Sequence, residues 1–346
     1  MAKIDPLLNM MIQHRASDLH VSSGEPPMLR IDGQLKRVQY HDLTPAEVDV
    51  LLLELLNEDQ IEMLGERKDI DLAYDLKDKG RFRVNIYIER RGYGGAFRLI
   101  PTEIKTIREL MLPESVHGLA RIKSGLVLVT GQTGSGKSTT LAAMVDLINK
   151  EQSYHIITLE DPIEFIHPRA KCLIHQRQIG THVEDFASGL RAALREDPNV
   201  ILVGEMRDLE TIHLALTAAE TGMLVLGTLH TSSAAKTVDR IIDVFPPGQQ
   251  SQIRTMLSES LRGVISQQLI RRREGQGRVA AVEVMVSNQA LRNLIREGKT
   301  YQIPSILQTG KSEGMQTMED YVRKLVEEGL VGPEEIASQT KTAGNS

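Results

Sequence analysis

Residues Gly131 to Ser138 read GQTGSGKS, and no other stretch limits so strongly what the chain can fold into. It fits G-x-x-x-x-G-K-[ST], a loop that cradles phosphates between a strand and a helix. Both flanks agree: LVLVT (126–130) reads as a short apolar strand and STTLAAMVDLINK (138–150) opens a helix. Glycine at Gly131, Gly134 and Gly136 lets the backbone curl through positive φ, so that successive N–H groups face one anion-sized hollow. The helix beginning near Lys137 adds its positive end. The predicted nucleotide-binding set is Gly131, Gln132, Thr133, Gly134, Ser135, Gly136, Lys137, Ser138 and Thr139. Within it, Lys137 is suited to reach β- and γ-phosphates and the Ser138 hydroxyl to ligate Mg²⁺, so ATP and Mg²⁺ are the expected ligands.

A chain of 346 residues with 41% hydrophobic content has room for two domains and a real core. The formal charge of −5 gives no overall attraction to nucleic acid or anionic lipid. A single cysteine, Cys172, excludes an intramolecular disulfide framework and a cysteine-rich zinc site, and suits a reducing cytosol. It reads as a buried small hydrophobe. The start, MAKIDPLLNMMIQHRASDLH, lacks the apolar core of a signal peptide, and no run reaches the length of a bilayer span. Direct membrane insertion is therefore not expected; membrane association would come through a partner.

Two patterns divide the chain. Over 1–100, a helix across Ile4 to Arg15 precedes short strands at LHVS and MLRID, with Asp32-Gly33 as a hairpin turn. A helix is predicted from Thr44 to Leu64, then strands at DIDLAYDL, RFRVNIYIERR and GGAFRLIP, with a turn at Lys77 to Gly80. This is a small α+β domain, followed by a connector over 101–118. From 119 to 346, strands at 126–130, 155–160, 200–204 and 224–230 alternate with helices, which implies a parallel sheet. Beyond Pro246-Pro247 the chain reads as mostly helical, with QQSQIRTMLSESLRGVISQQLI (249–270) as one helix, a short strand RVAAVEVM, and a polar tail SQTKTAGNS.

Four groups of residues could do chemistry. In ITLEDPIE (157–164), Glu160, Asp161 and Glu164 follow a buried strand, the edge where open α/β sheets hold ligands. A carboxylate there can orient or deprotonate an attacking water, and Glu164 is the candidate; equally, such acids can simply cap a strand. VILVGEMRD (200–208) is an apolar strand ending in Glu205, which takes the magnesium role where an aspartate is more common. In GTLHTSSAAKT (227–237), a neutral His230 could donate to a γ-phosphate oxygen, although a lone histidine is more often structural, and Thr228, Thr231 and Ser232 could serve as local caps. Arg81, Arg83 and Arg98 alternate with apolar residues on predicted strands, sharing a polar face from which an arginine could reach a neighbouring subunit's nucleotide. The run Arg271, Arg272, Arg273 lacks interleaved aromatics and reads as a solvated turn, so no nucleic-acid partner is expected.

Together, GQTGSGKS, ITLEDPIE, LREDPNVILVGEMRD and GTLHTSSAAKTVDRI resemble the secretion ATPase superfamily of type II and type IV pilus systems over nearly the whole chain. ALRNLIREGKTYQI (290–303) and GMQTM (314–318) resemble the branch that retracts pili; the family's AIRNLIRE is matched except at Leu291. Relatives that extend pili or drive secretion usually carry a four-cysteine zinc insert, which one cysteine cannot build. The resemblance implies an α/β fold: a RecA-like P-loop ATPase domain, a smaller PAS-like N-terminal domain and a helical C-terminal region. It further implies a homohexamer, cytoplasmic and peripheral at the inner membrane, that hydrolyses ATP to retract a pilin fibre through a platform protein. By motif, Glu164 is the catalytic glutamate, Glu205 the Walker B acid and His230 the His-box histidine. Where the signature has aspartate after Pro198, this chain has Asn199. An extension or secretion ATPase, and a RecA-type nucleic-acid motor, are the alternatives.

Overall fold

The computed structural model describes residues 2–14, 16–31, 33–77, 79–100, 103–273 and 277–336. The expected polar tail at 338–346 lies outside them, as do Asp32 and Asp78 of the two predicted turns, and 101–102 of the connector. The chain divides into two compact units, 1–103 with 164–166, and 104–163 with 167–346.

The first unit contains α1 (Asp5–Gln13), β1 (Asp18–Ser22), β2 (Met28–Ile31), β3 (Gln34–Arg37), α2 (Pro45–Leu53) and α3 (Glu58–Arg67). β4 (Asp69–Leu76), β5 (Gly80–Glu89) and β6 (Gly92–Ile100) follow. These strands form one antiparallel sheet in the order β3-β2-β1-β6-β5-β4. The helix predicted from Thr44 to Leu64 is two helices. Asn57 accepts from the Gln60 N–H while the Gln60 side chain accepts from the Asn57 N–H, a reciprocal cap that starts α3 afresh. Alternation on β5 puts Phe82, Val84 and Ile86 wholly inside, packed with Leu8, Met11, Leu52 and Phe97. Each such side chain contributes about 1.5–3 kcal/mol by leaving water, so this core can hold a small unit together.

The second unit runs α4 (Glu114–Ala120), β7 (Gly125–Thr130), α5 (Lys137–Glu151), β8 (His155–Glu160), β9 (Leu173–Gln178), α6 (Phe186–Ala193) and β10 (Val200–Val203). It continues through α7 (Leu209–Glu220), β11 (Leu224–Leu229), α8 (Ala234–Asp243), α9 (Pro247–Ser260), β12 (Leu261–Arg271) and β13 (Arg278–Val286). α10 (Gln289–Glu297), α11 (Ile303–Thr309) and α12 (Met318–Glu327) close the described chain. Its sheet has the order β13-β12-β7-β11-β10-β8-β9, parallel throughout except for β13 at one edge. β7, β10 and β11 are buried at every residue, as a strand with helices on both faces must be. One core lies on each face.

The single helix predicted over 249–270 is half strand: α9 ends at Ser260 and the rest is β12. Leu257, Leu261, Val264 and Ile265 repeat at helical spacing, yet Val264, Ile265 and Ile270 are β-branched and fill the slot between β7 and β13. β9, which sequence periodicity does not reveal, is an edge strand on which Leu173 and His175 stay exposed. Among the described residues no helix is long and apolar enough to cross a membrane.

Candidate functional site

The order of strands in the second sheet brings the predicted motifs to one edge. The phosphate loop leaves β7, His230 follows β11, Glu205 follows β10, and Glu160-Asp161 ends β8; these four strands are consecutive neighbours and parallel. Parallel strands end on the same side, so all four chain exits share the carboxyl edge.

The loop closes tightly between β7 and α5. Gly131 has φ of 143°, and a Cβ there would sit 2.2 Å from the Gln267 carbonyl oxygen, a clash no side chain could relieve. Gly136 has φ of 90° and forms the N-cap of α5 without a side-chain cap, leaving the first turn's N–H groups to an anion. The Lys137 ammonium donates to the Gly131 and Gln132 carbonyls at 2.8 and 3.2 Å, which holds its charge over the loop. Gln132, Thr133, Gly134 and Ser138 are exposed, Thr139 half-buried and Ser135 buried.

Glu205 is the electrostatic centre of the edge. Its Oε1 accepts from Arg207 Nε at 2.5 Å and lies 3.0 Å from His230 Nε2. Burial alone would push the Glu205 pKa up, but Arg207, His230 and Lys137 together hold it below the ordinary glutamate range. Arg207 is a residue that motif reading missed: two positions past Glu205, it is mostly exposed and is the strongest single influence lowering that carboxyl.

The other predicted residues divide. Glu160 accepts from the Thr158 hydroxyl at 2.6 Å and from Gln176 Nε2 at 3.2 Å, so it ties β8 to β9. Glu164 is half-buried, and residues 164–166 group with the first unit, whereas the loop, Glu205 and His230 belong to the second. Arg83 and Arg98 lie directly opposite each other on β5 and β6, sharing the expected face. Each candidate arginine has an acid beside it: Arg81 with Asp75 at 3.7 Å, Arg83 with Asp71 at 3.6 Å, Arg98 with Asp18 at 2.8 Å. Asp18, His20, Asp71, Arg83, Asn85 and Arg98 line a cleft of 280 Å³ on this sheet.

Thr228 is no helix cap: its hydroxyl donates to the Gly204 carbonyl at 2.5 Å, tying β11 to the turn that carries Glu205. The cap of α8 is Ser233, and the Glu283 carboxylate of β13 accepts from the next N–H, that of Ala234, at 2.8 Å. Asn199 holds the other end of β8, accepting from the His155 N–H through its side chain at 2.8 Å. The half-buried Cys172 thiol donates to the Gln152 carbonyl, and burial raises its pKa, so it is an unreactive packing residue.

After the Glu164 segment the chain passes His167, whose buried Nδ1 has no hydrogen-bond partner among the described residues. Burial pushes its pKa down from 6.5 to about 4. Between those values the unfolded chain binds the extra proton and the folded one does not, so stability is complete above pH 6.5 and falls toward pH 4. The loss should approach about 2–3 kcal/mol. Denaturant unfolding of wild type and His167→Gln at pH 7, 5.5 and 4.5 checks this: the variant should lose less on acidification, and parallel losses would contradict the assignment.

The family model described as type II/IV secretion system protein matches residues 1–338. The type IV pilus retraction ATPase PilT of Pseudomonas aeruginosa is 50% identical over 342 residues, covering 99% of each chain. The twitching motility protein of Neisseria gonorrhoeae is 50% identical over 326 residues, covering 92% of this chain and 87% of that one. Among solved structures, the pilus retraction motor PilT with bound ADP superposes with a TM-score of 0.91 at 46% identity, covering 97% of this chain and 96% of that one.

Proposed function

The chain belongs to the type II/IV secretion system protein family, and we propose that it is the ATP-hydrolysing motor that powers type IV pilus retraction. The observation that carries this reading is the sheet edge on which a phosphate loop, His230, Glu205 and the Glu160-Asp161 turn leave four adjacent parallel strands. Lys137 and the loop N–H groups hold the β- and γ-phosphates. Ser138 and Glu205 offer hard oxygen donors, and the lowered Glu205 pKa keeps it ionised at neutral pH, so this donor set fits magnesium. Magnesium held there would supply positive charge to the phosphate oxygens.

Glu164 orients and deprotonates the attacking water. The water oxygen bonds to the γ-phosphorus, the bond to the β–γ bridging oxygen breaks, and ADP and phosphate leave. His230, whose Nε2 lies 3.0 Å from the Glu205 carboxylate, can donate to a γ-phosphate oxygen, and it lies four residues before α8, which gives that helix a reporter of hydrolysis. The working assembly is a homohexamer at the cytoplasmic face of the inner membrane. It acts on the pilin fibre through a platform protein, with Arg81, Arg83 or Arg98 offered to a neighbouring subunit's nucleotide.

The test joins cells and purified protein. Cells without the gene should stay piliated and stop twitching, and the protein should release phosphate from ATP with magnesium whether or not DNA is present. Bald cells would indicate an extension motor, DNA-dependent turnover a nucleic-acid motor, and intact ATP would end the motor reading.

A further inference from the structure

We infer that Gln267, on the strand beside the phosphate loop and more than a hundred residues from it in sequence, is the positioning residue that aims the loop's N–H groups at the nucleotide. This rests on the reading that the loop holds nucleotide phosphates. Ser266 of β12 lies opposite Thr130, the last residue of β7, and their hydroxyls are 3.0 Å apart. Gln267 therefore runs alongside the first turn of the loop.

Its side chain is almost wholly buried, 5% exposed. Nε2 donates to the Ser135 carbonyl at 2.7 Å, and Oε1 accepts from the Thr140 hydroxyl at 2.7 Å. A carbonyl only accepts, so the amide's orientation is fixed and Thr140 must be the donor. One amide thus bridges the middle of the loop to the first turn of α5. Two of the motif's glycines answer to this residue. A Cβ on Gly131 would strike the Gln267 carbonyl oxygen, and a Cβ on Gly136 would lie 2.7 Å from Gln267 Nε2.

The consequence for phosphate follows from peptide geometry. In a planar trans peptide the C=O and the next N–H point in opposite directions. With the Ser135 carbonyl drawn toward Gln267, the Gly136 N–H faces away from it, toward the hollow that the loop encloses. Without the amide this peptide can rotate, since Gly136 tolerates several backbone conformations, and the anion loses one aligned donor. Gln267 touches no substrate atom on this account; it acts through the loop.

Gln267→Leu removes both hydrogen bonds at similar volume. Gln267→Glu keeps the shape and the Thr140 bond but turns a carboxylate oxygen onto the Ser135 carbonyl. Titration with a fluorescent ADP analogue, ATPase kinetics, and melting with and without ADP would be measured on the full chain. Each variant should bind ADP about tenfold more weakly or worse. KM for ATP should rise with it while kcat changes less. Nucleotide-free melting should stay within a few degrees of wild type, and the ADP-induced rise in Tm should shrink. If Gln267→Leu does not fold, Gln267→Glu decides alone. Wild-type affinity in the folded variants, or a nucleotide-free Tm that collapses while affinity holds, would overturn the role. Wild-type protein that binds no ADP would instead bring down the nucleotide reading on which it rests.

Discussion

Replacing Lys137 by alanine is expected to reduce kcat/KM for ATP by at least about a hundredfold, the usual cost of removing one preorganised donor at a developing charge. The side chain's ammonium lies over the loop, on the Gly131 and Gln132 carbonyls, and it is among the charges that lower the Glu205 pKa. A cation in that position is available to β- and γ-phosphate oxygens without a long excursion, and the cost of ordering it is already met by folding. The fold should survive, because Lys137 is half-buried at a helix start and contributes no apolar contact to either core. Melting of the nucleotide-free variant within a few degrees of wild type, together with lost ADP binding, is the expected pair of results. Lys137→Arg keeps the charge but not the compact ammonium, and should recover only part of the affinity. A Lys137→Ala protein that turns over ATP at the wild-type rate would remove the loop from the mechanism.

Much of this site is legible in the sequence because its determinants are local. A phosphate loop needs its glycines and its lysine within eight positions, and the strands that lead into Glu205 and His230 declare themselves by apolar runs. The parts that stay hidden are those fixed by pairing across the sheet. Gln267 sits within a stretch whose apolar residues repeat at helical spacing, and only its place between β7 and β13 makes that stretch a strand. Arg207 carries no signature of its own, since its effect on Glu205 depends on how the chain turns after β10. The break between α2 and α3 was marked by a local signal, Asn57 followed by Gln60, which the leucine pattern across it masks. Ser233, not the neighbouring Ser232, caps α8, and only the start of that helix at Ala234 tells the two apart. Arg81, Arg83 and Arg98 were legible as a face, but not their acidic partners, which lie on β4 and β1.

Glu164→Gln is expected to leave nucleotide binding intact and lower kcat by about a hundredfold to ten-thousandfold, the range for loss of a positioned acid–base group. Three carboxylates in ITLEDPIE compete for the role, and their surroundings separate them. Glu160 Oε1 accepts from both Thr158 of β8 and Gln176 of β9, so this oxygen is committed to the sheet. A carboxylate already accepting two hydrogen bonds is a poorer base and cannot swing to a water without releasing them. Asp161 is exposed and adds to the field that raises the Arg207 pKa, which makes it part of the charge around Glu205. Glu164, half-buried like Glu160, takes part in neither of these arrangements, which leaves its carboxylate for a water. The comparison to make is Glu160→Gln, Asp161→Asn and Glu164→Gln, each scored for ADP affinity, single-turnover phosphate release and Tm. Glu160→Gln should fall chiefly in Tm, with turnover within about threefold once folded, since it loses sheet contacts rather than chemistry. Asp161→Asn should shift KM more than kcat by altering the charge near Glu205. Glu164→Gln alone should trap bound ATP, and a large loss of the chemical step in Glu160→Gln with normal turnover in Glu164→Gln would move the base to the end of β8.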